Sequence, residues 1–396
     1  MAKRQKLSSC QLDELPDEVI LKIVGFLDLK ELLLCGQVSK RLRAIANDES
    51  LWLKLNMQGR LIPYDFIEKV IGNGCQYLSL PNCDIIYDTG NTNVVTFTGK
   101  SSFNLKYLNL SNELLSGPGG FNNTGVELLQ NCCSLQKLSL ASLYLDLKDI
   151  PYIWKSGQTL QVLDLGFCEL DLQNETKVTK LLQDLFSNCA HLTELNISEN
   201  DLIDSQIQAL VDNLTPTILK VSLTWQNNLQ DEHVKKLVKR CNKITHLDFS
   251  ETSITNDSVH SIIEQLKTSL EALNVFQTYI DFATLLELRA MPALKTLICD
   301  EDDEDTKNLK QQLPHISIIN EERYLYIAKP FKKCLTFNMT PDPDRRVNAD
   351  CDWIWEFREK EQILFAKVED DPSLKNFLGI VSSSDDSDDS DDRNNE

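Results

Sequence analysis

Residues 192–202 read Leu-Thr-Glu-Leu-Asn-Ile-Ser-Glu-Asn-Asp-Leu, and this stretch decides the fold. Apolar residues stand at its first, fourth, sixth and eleventh positions, and an asparagine stands at the ninth. Leu195 and Ile197 are separated by one polar residue, which is the alternation of a short β-strand with one buried face. The same frame recurs, with conservative replacements, from about residue 75 to residue 299.

Nine copies of this frame begin at residues 75, 105, 135, 160, 192, 218, 244, 270 and 294. Neighbouring first positions are 24 to 32 residues apart, which is typical of leucine-rich repeats. In such repeats each strand is followed by a helix, and the patterns at 206–210 and 232–237 predict two of these helices. One repeat cannot bury its own apolar face, so repeats stack. The sequence therefore predicts an α/β fold with a curved leucine-rich-repeat solenoid at residues 75–320.

A helical unit is predicted ahead of the repeats. Its first helix follows Leu15-Pro16, its second begins at Leu29, and its third extends from Val38-Ser-Lys-Arg41 to Leu51-Trp52. The successive signatures L-P-x-E, V-S-K-R and D-E-S-L-W resemble an F-box, which we place at residues 13–56. Leu42 departs from that family, which usually has tryptophan at this position.

The F-box resemblance implies a surface for the S-phase kinase-associated adaptor, which links F-box proteins to cullin. The residues that would form or support this surface are Leu15, Pro16, Ile20, Leu21, Ile23, Leu27, Leu32, Val38 and Trp52. The alternative is a helical bundle that only caps the first repeat.

From Leu15 to about Gln362 the chain is similar to the S-phase kinase-associated family of F-box/leucine-rich-repeat proteins, for example at residues 48–52, 237–248 and 291–297. The resemblance implies the substrate-recognition subunit of an SCF ubiquitin ligase, found in the nucleus and cytoplasm. It implies a substrate that is a cell-cycle regulator, such as a phosphorylated cyclin-dependent kinase inhibitor. Such a subunit is not an enzyme and needs no cofactor.

In this family the last repeats and a returning C-terminal tail bind the substrate and a cyclin-kinase-subunit accessory protein. By position, Glu251 stands for the acid that meets the accessory protein. Gln226 and Gln277 stand where basic residues are expected, which is a departure from the family. Trp225, in a repeat turn, is a further candidate for exposed recognition.

The remaining segments have weaker patterns. We predict a flexible N-terminus at residues 1–12, a linker at 57–74, and an irregular cap with a returning tail at 321–380. Trp353 and Trp355 in the cap are interpreted as anchors, with partner contacts as the alternative. Residues 382–392 carry only serines and acids, without apolar residues, so we predict a disordered acidic tail at residues 381–396.

Charge and motifs exclude several functions. A formal net charge of −20 argues against nucleic-acid binding, and we expect no membrane span because no long apolar run is present. The cysteines include no Cys-x-x-Cys pair and are interpreted as reduced thiols. The five histidines suggest no metal site, and Gly99-Lys100-Ser101 lacks the first glycine of a phosphate-binding loop.

The alternative function is a nuclear scaffold that binds basic proteins through its acidic tail.

Overall fold

A computed structural model describes residues 14–320, apart from residues 28, 58–60, 82, 87–101, 112–122, 146–147, 149 and 171–174. It confirms the predicted α/β fold, in which a helical unit is followed by stacked strand and helix repeats. The predictions for residues 1–12, 321–380 and 381–396, including Trp353 and Trp355, lie outside the described residues.

Four short helices form the N-terminal unit, namely α1 (Asp17–Val24), α2 (Leu29–Val38), α3 (Lys40–Ala46) and α4 (Glu49–Trp52). Pro16 precedes α1 with a φ of −58°, close to the value that its ring fixes. Ser39 caps α3 by accepting a hydrogen bond from the backbone N–H of Leu42 at 3.1 Å. Asp48 caps α4 in the same way. Each cap satisfies an N–H group that the helix itself leaves free, so these polar residues fix where α3 and α4 begin.

A small apolar core holds these helices together. Trp52 is 1% exposed, and its indole N–H donates a hydrogen bond to the carbonyl of Ala46 at 2.7 Å. Arg41 donates to the Leu15 carbonyl at 2.5 Å and also pairs with Asp17. The other buried apolar residues of the unit are Ile20, Val24, Leu32, Leu33, Ile45 and Ala46. They belong to the same apolar cluster as the buried residues of the repeats.

Eleven strands form one parallel sheet, and two further pairs lie outside it. The sheet contains β1 (Lys54–Asn56), β3 (Tyr77–Ser79), β5 (Tyr107–Asn109), β6 (Lys137–Ser139), β8 (Val162–Asp164), β10 (Glu194–Asn196), β11 (Lys220–Ser222), β12 (His246–Asp248), β13 (Ala272–Asn274), β14 (Thr296–Cys299) and β15 (Ser317–Asn320). The separate pairs are β2 (Leu61–Pro63) with β4 (Asp84–Ile86) and β7 (Tyr144–Leu145) with β9 (Glu169–Leu170). Equivalent residues face each other across the sheet, as Leu195, Val221 and Leu247 do. The repeat frame thus becomes a row of stacked apolar side chains.

Nine α-helices of the described chain follow the N-terminal unit and return the chain from one strand to the next. They are α5 (Tyr64–Gly72), α6 (Asn123–Asn131), α7 (Ile150–Ile153), α8 (Glu175–Asn188), α9 (Asp204–Asn213), α10 (Asp231–Arg240), α11 (Asn256–Leu266), α12 (Phe282–Glu287) and α13 (Asp303–Gln312). The frame residues Leu192, Leu195 and Leu202 are each 0% exposed, as is Leu210 of α9. Burial of whole leucine side chains, at about 1.5–3 kcal/mol each, drives the stacking.

Residues 57–74 are not a linker, contrary to the prediction. They contain β2 and α5, which make up most of a repeat. The side chains of Phe66, Ile67 and Val70 in α5 are at most 3% exposed, so this helix packs into the core. The sheet also begins earlier than predicted, since β1 pairs in register with β3 directly after the last helix of the N-terminal unit. The repeat array is therefore continuous with the helical unit.

Three sequence interpretations can be compared with the described residues. None of the described helices is long and apolar enough to cross a membrane. Six of the nine described cysteines are buried, and none of the nine forms a disulfide with another described residue. No group of three or more potential metal ligands occurs in this part of the chain.

Candidate protein-binding surfaces

The N-terminal unit exposes large apolar side chains on its surface. They are Val19, Ile23, Phe26, Leu34 and Val38, of which Phe26 is 91% and Val38 74% exposed. These five are half of the ten large hydrophobic residues that are exposed in the described chain. An apolar concentration of this kind is typical of a protein-binding surface rather than of a solvated bundle.

The nine predicted adaptor-binding residues divide by burial. Pro16, Ile23 and Val38 are exposed, Leu15, Leu21 and Leu27 are half-buried, and Ile20, Leu32 and Trp52 are buried. The structure brings all nine into one helical unit. The last three can only support a binding surface from beneath, because their side chains are at most 5% exposed. Contact of the others with an adaptor stays a prediction.

The sequence interpretation did not include Val19, Phe26 and Leu34. A signal for two of them was present, because Val19, Ile23 and Phe26 follow the same spacing as the buried Ile20 and Val24 and the half-buried Leu27. Two apolar stripes on one short helical segment mean that one stripe stays outside the core. Leu42, the departure from the F-box pattern, is half-buried and packs against the core.

A second surface lies at the edge of the sheet where the strands end. The eighth position of the repeat frame is occupied by Ser142, Phe167, Glu199, Trp225, Glu251, Gln277 and Glu301, which we call the turn-edge row. The first six have φ between 48° and 59°, a left-handed conformation that L-residues rarely adopt. The N–H of Trp225 donates to the carbonyl of Ser250 at 3.1 Å, and that of Glu251 to Phe276 at 2.8 Å. Each turn is thereby tied to the next repeat.

Three of the four predicted substrate or accessory contacts belong to the turn-edge row. Trp225 is 46% exposed, Gln277 is exposed and Glu251 is half-buried. The row therefore presents these side chains beside one another. A role of any of them in binding is still a prediction.

Gln226 was predicted as a contact residue, but its side chain is inaccessible at 0% exposure. Its amide nitrogen donates to the Ile197 carbonyl at 2.8 Å, and its amide oxygen accepts from the Leu202 N–H at 3.1 Å. Asn200, one repeat earlier, likewise donates to the Leu165 carbonyl at 2.9 Å. Gln226 occupies the asparagine position of the frame and satisfies buried backbone groups of the preceding repeat.

The sheet face between the turns carries a continuous polar network. Asn196 donates to Asp164 at 2.9 Å, and the Ser198 and Ser222 hydroxyls are 2.8 Å apart. Ser250 donates to Asp248 at 2.7 Å through its hydroxyl and also through its N–H. Burial raises the pKa of both Asp164 and Asp248, although these hydrogen bonds act in the opposite direction. Much of this face is therefore paired internally.

The turn-edge row is acidic. Burial raises the pKa of the Glu199 carboxyl, and repulsion by Asp201 and Glu251 adds to this rise. Burial also raises the pKa of Glu251, which the Trp225 indole partly offsets as a hydrogen-bond donor. Glu199 and Glu251 thus lie near enough to interact across Trp225. Their charges have a net cost in the isolated protein, which a cation could remove.

Two histidines of the repeats are removed from water to different degrees, His233 being buried and His246 half-buried. His233 is 4% exposed, and its Nδ1 accepts a hydrogen bond from the Gln230 N–H at 3.2 Å. Burial lowers the pKa of His233, and that of His246 to about 4. Both rings are neutral near pH 7 and fill structural positions in the repeats.

Comparison with known protein families agrees with this geometry. Residues 66–340 match the family model described as "SKP2 LRR domain", which covers more than half of the chain. The chain belongs to the SKP2 leucine-rich-repeat family. Residues 12–58 match the model described as "F-box-like", and this confirms the predicted combination of an F-box with SKP2-type repeats.

A curated relative supports the F-box half of the assignment. Over 47 residues the chain is 45% identical to F-box only protein 15 of Bos taurus, a match that covers 12% of this chain and 10% of that protein. The chain thus spans about a tenth of the length of that relative. F-box domains typically bind Skp1 and, through it, the cullin of an SCF complex. Families that join an F-box to leucine-rich repeats are generally substrate adaptors rather than catalysts.

Proposed function

We propose that this SKP2-family chain is the substrate receptor of an SCF ubiquitin ligase. The observation that carries the proposal is the set of five exposed apolar side chains on the N-terminal helices. In this proposal the F-box helices bind the adaptor Skp1, and the repeats hold a protein substrate. Ubiquitin transfer is then accelerated by proximity, because the complex raises the effective concentration of substrate lysines.

The experiment compares two phenylalanines in an adaptor-binding assay. Phe26→Asp places a charge on the F-box surface, where Phe26 is 91% exposed, and Phe167→Asp makes the same change on the turn-edge row, where Phe167 is 53% exposed. Purified Skp1 is titrated against each full-length variant by isothermal calorimetry. We expect Phe26→Asp to weaken adaptor binding at least tenfold, because a desolvated charge is costly in an apolar interface.

Phe167→Asp is the matched control and should leave adaptor affinity within twofold of the wild type. Equal affinity for all three proteins would remove Phe26 from the adaptor surface, and no measurable binding of the wild type would contradict the proposal. Both substituted side chains are exposed, so both variants should retain the fold.

The finer features of the function rest on resemblance alone. A phosphorylated cyclin-dependent kinase inhibitor as substrate, a cyclin-kinase-subunit accessory protein at Glu251, and residence in the nucleus and cytoplasm are part of the proposal. Glu251→Arg should reduce accessory-protein binding measured by pull-down, and unchanged binding would remove that assignment.

A further inference from the structure

The edge of the sheet at which the strands begin carries many lysines and arginines in the later repeats. β12, β13 and β14 pair in parallel and in register, so the segments that lead into them lie side by side at this edge. These segments are residues 239–246, 265–272 and 289–296. They contain six lysines or arginines and one acid, although the formal net charge of the chain is −20.

Five of these cations are not paired with an acid, and we call them the basic edge. They are Lys239, Arg240, Lys243, Lys267 and Arg289, and all five are exposed. None of the ion pairs among the described residues includes any of them. The one acid of the three segments, Glu271, is already paired with Lys295 at 2.6 Å. The positive charge of the basic edge is therefore not neutralised within the repeats.

Helix ends account for only part of this charge. Lys239 and Arg240 belong to the last turn of α10, where the helix dipole favours a cation. Lys243 lies beyond this turn, between α10 and β12. The corresponding segment of an earlier repeat, residues 187–194, contains no lysine or arginine. Like charges at one edge repel each other, so an anionic ligand would remove an unfavourable interaction.

The chain itself contains a segment of the matching charge. Residues 385–392, which lie outside the described residues, read Asp-Asp-Ser-Asp-Asp-Ser-Asp-Asp. The last strand, β15, is three strands away from β12, which is about 15 Å at about 4.8 Å per strand. The 64 residues from 321 to 384 can span much more than this distance. The acidic segment can therefore reach the basic edge of its own chain.

The spacing of the aspartates matches the spacing of the helices at this edge. Pairs of aspartates recur every three residues in the segment 385–392. A polyproline II segment rises about 9.3 Å over three residues, and packed helices lie about 8–10 Å apart. The cations of the basic edge follow α10, α11 and α12, which pack in this order. Three aspartate pairs of an extended segment would thus meet the cations of three successive repeats.

We propose that residues 385–392 bind the basic edge of the same chain. Carboxylates attract the exposed ammonium and guanidinium groups, and several pairs act together where one exposed pair would be weak. The covalent link also favours this contact, because it raises the effective concentration of the segment at the edge. The bound segment closes the basic edge to other acidic ligands. This inference goes beyond the proposed function and does not depend on adaptor binding.

The first test is zero-length crosslinking of the full-length chain with a carbodiimide, which joins a carboxylate to an amine that it contacts. Mass spectrometry of the monomer band should locate crosslinks from residues 385–392 to Lys239, Lys243 and Lys267. The control amines are Lys180 on α8 and Lys307 on α13, which are equally classed as exposed. We expect their crosslinks to the segment to be at least fivefold less abundant.

Two crosslinking results would overturn the inference. One is equal linkage of the segment to the edge lysines and to the control lysines, because contact would then be unspecific. The other is linkage that occurs only in the dimer band, because the ligand of the edge would then be a second copy of the chain.

The second test measures competition by fluorescence polarisation. The probe is a fluorescein-labelled peptide with the sequence of residues 382–392. In a full-length tail variant, the six aspartates of residues 385–392 are replaced by asparagine, which removes the competing charge. We expect the tail variant to bind the probe at least tenfold more tightly than the wild type, in which the chain's own segment competes. Equal affinity of the two proteins would contradict the proposal.

Charge removal from the edge is then compared with equal removal elsewhere, both in the tail variant. The edge variant is Lys239→Gln, Lys243→Gln, Lys267→Gln, and the control is Lys22→Gln, Lys180→Gln, Lys307→Gln. All six side chains are exposed, so both variants should retain the fold. The edge variant should bind the probe about tenfold more weakly, which corresponds to about 1.4 kcal/mol, and the control should change affinity less than twofold. Equal losses in the two variants would overturn the assignment of the segment to this edge.

Discussion

The side chain of Gln226 offers a quantitative test of the repeat architecture. Gln226→Ala removes two hydrogen bonds to backbone groups that have no access to water, since Ile197 is 1% exposed and Leu202 is 0% exposed. A buried polar group left without a partner costs about 1–3 kcal/mol. The two orphaned groups together predict a loss of about 2–6 kcal/mol in the free energy of unfolding. The cavity left by the missing side chain adds to this loss.

The assay is urea unfolding of the full-length chain followed by far-ultraviolet circular dichroism. Amide hydrogen exchange at Leu202 reports the local effect, because its N–H is the donor that loses its acceptor. Gln226→Met fills most of the volume without restoring either hydrogen bond, so it should recover only the cavity part of the loss.

Gln277→Ala is the control, because Gln277 is exposed and occupies the eighth position of the frame rather than the ninth. It should change stability by less than about 0.5 kcal/mol, as surface substitutions usually do. A Gln226→Ala variant as stable as Gln277→Ala would refute the structural role of Gln226 and return it to the group of candidate contacts.

Three further predictions concern buried groups. Burial raises the pKa of Asp248 in the folded state. Its carboxylate therefore lowers the free energy of unfolding at pH values above the unfolded pKa of about 3.9, and this loss disappears as the pH falls to that value. Asp248→Asn should therefore gain stability relative to the wild type more at pH 7 than at pH 4 in urea titrations, and an equal difference at both pH values would count against this sign. Gly157→Ala should lower the melting temperature, because the new Cβ would lie 2.5 Å from the Asn188 carbonyl oxygen. Gly72 has open space around it, so the control Gly72→Ala should leave the melting temperature unchanged or slightly raised. Trp52→Ala should cost about 3–5 kcal/mol in unfolding free energy, measured by urea titration, and a loss below 1 kcal/mol would show that the N-terminal core does not depend on this ring.

Much of the fold could be predicted because its signal is a long period. The frame that begins at Leu192 repeats often enough for the leucine positions to identify the strands, and the parallel register follows from stacking equal units. The first repeat was missed because residues 57–74 carry only part of the frame. Their helical pattern, with Phe66, Ile67 and Val70 toward the core, was the available signal.

The functional surfaces were harder to predict because they depend on exposure. The ninth frame position makes Gln226 the counterpart of Asn200, and this signal was overlooked because the resemblance suggested a contact residue. Spacing places Glu199 and Trp225 at the same position of adjacent repeats, but it could not show how far the Trp225 and Phe26 side chains would be exposed. These facts arise from how strands and helices pack, which a linear pattern does not contain.

The central claim is that the N-terminal helices bind an SCF adaptor. The most direct measurement is the mass of the full-length chain mixed with purified Skp1, by size-exclusion chromatography with light scattering. We expect a single complex with one copy of each protein. Separate elution of the two proteins, each at its own mass, would show that the N-terminal helices do not bind the adaptor.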